Sequence, residues 1–263
     1  MSHDLLQALA IFAAGLAAGT INTVVGSGTL ITFPPLLALG YPAVLANVSN
    51  NIGLVPGTVS GAHGYRAELA GQRRRVLRLG TASLSGGLAG AILLLLLPAG
   101  AFKDIVPVLI VVALLMVVFQ PRLQRLVAAR QRAGNDAPVT PAAPDAPAGG
   151  PALWALVFLA GVYGGYFGAA QGVLLLGLMG VAFTDDMQRV NAVKNILAGL
   201  VNALAAVVFI FATHVDWGAA GLIGAGAVLG GQLGARVGRK LPPWGLRVLI
   251  VCVGVAALVK LLA

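Results

Sequence analysis

Long apolar runs recur along the whole chain: Leu5–Val25, Val44–Ala62, Val76–Leu97, Ile105–Phe119, Ala152–Phe167, Val190–Thr213, Trp217–Ala235 and Arg247–Leu262. A helix crosses hydrocarbon with about 20 mostly apolar residues, because the core is about 30 Å thick and a helix pairs its own backbone groups where no water can. Two further runs, Thr29–Leu39 and Val173–Phe183, are too short to span and are expected as half-helices or re-entrant arms. A soluble globule is excluded: 10% of the residues are charged, against about 25% in soluble domains. Lipid is the main solvent, and the expected fold is all-α and polytopic.

The net charge of +9 does not mark a nucleic-acid surface. The cations sit in connectors, as in Gln72-Arg73-Arg74-Arg75 and Arg236-Val-Gly-Arg239-Lys240, which is the pattern of the positive-inside rule. Cys252 is the one cysteine, and His3, His63 and His214 lie far apart, so no disulfide, metal cluster or metal cofactor is expected. The N-terminus lacks a basic signal-peptide start, so the first apolar run is expected to be retained.

A Pro/Ala-rich segment, 121–151, reads as an aqueous linker between two transmembrane repeats, 1–120 and 152–263. The halves resemble one another. Asn47-Val-Ser-Asn-Asn51 recurs 144 residues later as Asn191-Ala-Val-Lys-Asn195, and Gly86-Gly87 recurs as Gly230-Gly231. Leu97-Pro98 meets Leu241-Pro242, while Gly15, Gly19 and Gly26 fall on Gly161, Gly165 and Gly172. The arginines at 66, 73, 74, 75 and 78, those of the linker, and the turn Arg236–Lys240 are expected in the cytoplasm; His214-Val-Asp216 is expected outside. That assignment makes the two repeats inverted, each with a broken hairpin and three spanning helices. The rival topology makes them parallel and puts the Arg236–Lys240 turn outside.

Inverted repeats with broken helices are the plan of many secondary transporters, with the substrate at the breaks. Here the breaks are Gly26-Ser27-Gly28 and Gly168-Ala-Ala-Gln171-Gly172. Exposed amides at the start of the next arm, together with the helix dipole, receive anions. Polar residues cluster in the flanking helices. Asn47 with Asn51 and Asn191 with Asn195 are i, i+4 pairs, and Lys194 stands where the first half has Asn50. The site reading therefore takes in Gly26, Ser27, Gly28, Asn47, Asn50, Asn51, Gln171, Gly172, Asn191, Lys194 and Asn195. Asn22 and Asn202 read as interhelical hydrogen bonding. Asp185-Asp186 reads as a helix start or a gate. No carboxylate stands in the middle of a long apolar run, which disfavours a proton relay through buried acids. An intramembrane enzyme would need a nucleophile with a partner, and Cys252 has none nearby in sequence.

The chain resembles the TauE/SafE family of sulfite and organosulfonate exporters. The likeness lies in Ala14-Gly15-Leu-Ala-Ala-Gly19, in Val25-Gly26-Ser27-Gly28-Thr-Leu-Ile-Thr-Phe-Pro34, in Leu36-Leu37-Ala-Leu-Gly40-Tyr-Pro42, and in the second-half copies. Family members often carry three adjacent glycines where this chain has Gly26-Ser27-Gly28. The resemblance implies a carrier of small anions such as sulfite or sulfonates in a bacterial inner membrane, coupled to no ion or to H+ or Na+. A passive anion channel and a carrier of another organic anion remain the alternatives.

Overall fold

The computed structural model describes residues 3–134, 149–183, 185–236 and 243–262, and the regular structure among them is helical. The helices are α1 (His3–Val24), α2 (Thr29–Ala38), α3 (Ala43–Gly64), α4 (Arg73–Leu96), α5 (Ala99–Gly134), α6 (Pro151–Tyr166), α7 (Gln171–Ala182), α8 (Met187–Ala212), α9 (Trp217–Arg236) and α10 (Pro243–Leu262). Both short arms exist as separate helices, α2 and α7. Helix α5 runs on through Pro121 to Gly134, into the stretch read as linker. Residues 122–133 are mostly Arg, Leu, Gln and Ala, good helix formers. The Pro-rich segment 135–148 lies outside the described residues, as do Leu241-Pro242 and the turn carrying Gly238, Arg239 and Lys240.

Helices α1, α4, α5, α8 and α9 are long and apolar enough to cross a membrane. Helix α3 matches them in length with 22 residues but is diluted by Asn47, Ser49, Asn50, Asn51 and Ser60. It is packed by α8, α9, α1, α2 and α5. Its polar residues are therefore sheltered by protein rather than lipid, which is how a membrane protein tolerates them.

The closest helix pairs cross between the halves. Helix α1 lies on α9 and α6 on α4; α3 lies on α9 and α8 on α4; α2 lies on α10 and α7 on α5. Each contact keeps its counterpart when α1–α5 are exchanged with α6–α10. Small residues make these approaches possible. A Cβ on Gly19 would stand 2.3 Å from the Ala227 carbonyl oxygen, and one on Gly230 would stand 2.0 Å from that of Leu16. In the other pair, Gly86 and Gly90 press on the Phe158 and Val162 carbonyls in the same way, at 2.1 and 2.0 Å. The glycine ladders are packing surfaces.

The bundle has two ends. At one, the Asp216 amide donates to Ser49 Oγ at 3.0 Å; at the other, Gln72 Nε2 donates to the Arg189 carbonyl at 3.1 Å. Helix α2 leads from the first break to Tyr41, which meets Asp216. Helix α7 leads from the second break to Asp185, which meets Arg75. The arms thus leave the breaks for opposite ends. Their 10 and 12 residues rise about 15 and 18 Å, together about the thickness of a hydrocarbon core.

Candidate functional site

The two breaks touch. The Gly172 amide donates to the Gly26 carbonyl at 3.1 Å, and a Cβ on Gly26 would lie 2.5 Å from Gly172 Cα. Gly26 holds φ +89°, a conformation open to glycine at little cost. In the second break Gly168 has φ +77° and Ala170 φ +60°, the latter a strained choice for a residue with a Cβ. Gln171 and Gly172 are the first two residues of α7, and Gly28 caps α2.

Around this junction the structure collects most of the residues singled out in the sequence. Ser27 is 0% exposed and its Oγ has no hydrogen-bond partner among the described residues. Gln171 is buried, with its side chain folded against Gly164, and its Nε2 is also without a partner there. Lys194 is 0% exposed. Its stem crosses Gly172, and its Nζ donates to the Asn22 carbonyl at 3.1 Å and the Thr23 carbonyl at 3.4 Å, in the last turn of α1. Asn191 and Asn195 donate to the same Thr23 carbonyl, at 3.3 and 3.5 Å. Asn47, the counterpart of Asn191, donates at 3.0 Å to the carbonyl of Tyr166, the last residue of α6. So in each half the first asparagine of the motif satisfies a helix-end carbonyl of the other half, one that the break leaves orphaned.

The remaining asparagines divide. Asn50 accepts from Thr32 Oγ1 and donates to Thr29 Oγ1 at 3.4 Å, pinning the first turns of α2 to α3. Asn51 donates to Asn202 Oδ1 at 3.4 Å, a bond between α3 and α8. Asn22 accepts from the Gly28 amide and donates to Thr58 Oγ1, both at 3.5 Å. Three carbonyl oxygens of these amides, on Asn47, Asn51 and Asn191, are buried without a partner among the described residues. The junction therefore offers unfilled donors from Ser27 and Gln171, a cation from Lys194, and a few unfilled acceptors. Buried polar groups left unpaired cost about 1–3 kcal/mol each.

Tyr166 is a member that sequence reading missed. It is buried and its hydroxyl lacks a partner among the described residues. It packs edge-on against Phe102 at 5.6 Å, while Phe167 stands edge-on to Phe33 at 5.3 Å. Its position directly before the second break was the available signal.

Each end of the bundle carries a polar closure. Arg75 is 2% exposed; it donates to Asp185 Oδ2 at 2.8 Å and Gln72 Oε1 at 2.6 Å, with its guanidinium 3.7 Å from the centre of the Phe183 ring. Arg189 adds an ion pair to Asp185 at 3.5 Å. Asp186 plays another part: it caps α8 by accepting from the Gln188 amide at 2.9 Å. At the opposite end burial, then the Asp216 carboxylate, holds the Tyr41 hydroxyl above its usual titration range. Two apolar grooves, of about 940 and 790 Å³, flank the short arms; Ser27, Lys194 and the asparagines line neither.

The sequence signature described as sulfite exporter TauE/SafE matches residues 11–261. The chain is 27% identical over 254 residues to "Probable membrane transporter protein ORF9" of Sinorhizobium sp, covering 96% of this chain and 91% of that one. It is 29% identical over 279 aligned residues to "Probable membrane transporter protein YfcA" of Escherichia coli K12, covering 100% and 91%. A "Probable membrane transporter protein" of Haemophilus influenzae is 25% identical, covering 89% and 85%. No solved structure matches.

Proposed function

The chain belongs to the TauE/SafE sulfite exporter family of membrane transporters, and from that premise we propose that it is a secondary carrier of a small anion such as sulfite or a sulfonate, working in a bacterial inner membrane. One observation carries the reading: two helix breaks from different halves meet through the Gly172–Gly26 hydrogen bond, beside unfilled donors on Ser27 and Gln171 and the buried ammonium of Lys194. Amides at broken helix starts and a fixed cation suit an oxyanion, which offers several acceptors and a negative charge. The asparagines hold the broken ends in position, and Tyr166, directly before the second break, offers its carbonyl to Asn47.

The halves act as inverted repeats. Support comes from the arms, which leave the junction for opposite ends, and from the pairwise exchange of helix contacts. The Arg75 end is cytoplasmic, because the cations at 66, 73, 74, 75 and 78 crowd there. Alternating access opens one closure at a time. Separating Arg75 from Asp185 admits the cytoplasm along α7; separating Tyr41 and Ser49 from Asp216 admits the outside along α2.

Counterflow in proteoliposomes tests the function. Vesicles preloaded with unlabelled sulfite should accumulate labelled sulfite above equilibrium, and a panel of sulfonates, sulfate and carboxylates should rank the substrates. Leak without trans-stimulation would replace the carrier with a channel. No anion-dependent flux at all would defeat the assignment.

A further inference from the structure

The last turn of a broken helix presents carbonyls that in many carriers hold an alkali cation. Here that place is already filled. Nζ of Lys194 binds the Asn22 and Thr23 carbonyls at 3.1 and 3.4 Å, with Asn191 and Asn195 converging on the same Thr23 oxygen. Asn191 Oδ1, buried and without a partner among the described residues, is a further oxygen beside the cluster. We infer that the ammonium of Lys194 is a resident cation in a cation site, and that the ion coupled to anion movement is the proton it carries, not sodium. The inference rests on the carrier reading above.

The surroundings make this ammonium the charge that matters. No carboxylate pairs with it among the described residues. Helix α1 bears His3 and Asp4, both at its far end, and α7 bears no titratable group. Helix α3 contributes His63, which is exposed and bonded to Arg66 at 3.2 Å, and the turn after it bears Tyr65, buried beside Ala192. Helix α4 contributes Arg73, Arg74, Arg75 and Arg78 near its start. Helix α6 contributes Tyr163, bonded to the Ala169 carbonyl at 2.5 Å, and Tyr166. On α8 itself, Arg189 turns to Asp185 and the Ala70 carbonyl. An anion entering the junction therefore meets one nearby positive charge without a carboxylate partner.

Two of the three Nζ donors are taken by carbonyls, and the third is left for the anion. Anion and proton are then reciprocal ligands: each binds better when the other is present, by thermodynamic linkage. The step balances simply. The protonated amine binds the anion; when the site opens and the anion departs, the amine gives its proton to water on that side. The empty carrier returns with a neutral amine, so one proton travels with each anion.

The experiment uses the full-length protein and a permanently anionic sulfonate, methanesulfonate, so that the substrate itself carries no proton. Proteoliposomes report labelled methanesulfonate and lumenal pH together, in sodium and in choline salts. The wild type should move protons with the sulfonate equally in both. Lys194→Arg, whose charge is permanent, should keep sulfonate exchange but lose proton movement, and Lys194→Ala should lose both. Sodium-dependent transport by the wild type, or proton movement that survives in Lys194→Arg, would overturn the inference. Thermal unfolding of detergent-solubilised protein supplies an arm that needs no substrate. Lys194→Ala should gain a sodium-dependent rise in unfolding temperature that the wild type and Lys194→Arg lack, because the freed carbonyls then take the alkali ion. If Lys194→Ala does not fold, a sodium-stabilised wild type would count against the inference and an insensitive one would support it. Should the wild type transport no anion, the carrier reading falls, and the sodium response alone decides whether Lys194 fills a cation site.

Discussion

Gly26 and Gly172 resist substitution for different reasons. Gly26 needs a positive φ, whereas Gly172 is an ordinary helical residue whose Cβ would lie 2.5 Å from Gly26 Cα. Gly172→Ala is therefore the cleaner probe, because it pushes the breaks apart without straining its own backbone. Overpacking of this kind costs about 1–3 kcal/mol. Counterflow by Gly172→Ala should fall by at least about tenfold, the equivalent of about 1.4 kcal/mol, while the protein stays monodisperse in detergent. Near-normal counterflow would dissociate the contact from function. Ala170→Gly is the matching control. It relieves the φ of +60° and should raise the unfolding temperature slightly, since a left-handed alanine costs about 1 kcal/mol; a drop would mean that the alanine methyl matters more than the strain. At this scale the burial of Lys194 is also telling, because an ion removed from water costs several kcal/mol unless its surroundings repay it.

Among the elements, the proposed switching falls to the arms and their closures. The Arg75–Asp185 pair joins the first turn of α4 to the turn before α8, so it ties one half to the other across the end of α7. Asp185→Asn should loosen that closure. In a Cys252→Ser background, a cysteine at Ser27 should then react faster with a membrane-impermeant maleimide applied from the Arg75 side, with reactivity from the Asp216 side unchanged. Equal labelling with and without the pair would mean that it is not a gate. Which of Arg73, Arg74 and Arg75 turns inward was not legible in the sequence. Successive helical residues point about 100° apart, and only the position of Phe183 and Asp185 selects the third. The polarity of α3 was legible, and so was the shortness of α2 and α7, because both follow from local composition and length.

On the scale of the molecule, helices exchange partners between halves, so neither half packs as a self-contained bundle. Single cysteines at His214 and at Arg74, in the same cysteine-free background, should label from opposite sides of the membrane. Labelling of both from one side would defeat the inverted arrangement, and with it the assignment of the two closures to two compartments.

The sequence by itself determined that the chain lives in lipid, that its helices break at Gly26-Ser27-Gly28 and again before Gln171, and that the Asn47–Asn51 motif has a second copy. Apolar run length, glycine conformational freedom and repeated spacing are local properties, readable without a fold. Tertiary structure alone decided that the two breaks meet, that Lys194 turns its ammonium to the carbonyls of α1, and that Asn50 serves α2. These depend on long-range approach between halves some 144 residues apart in the chain, where backbone carbonyls, invisible in any residue alphabet, supply most of the partners.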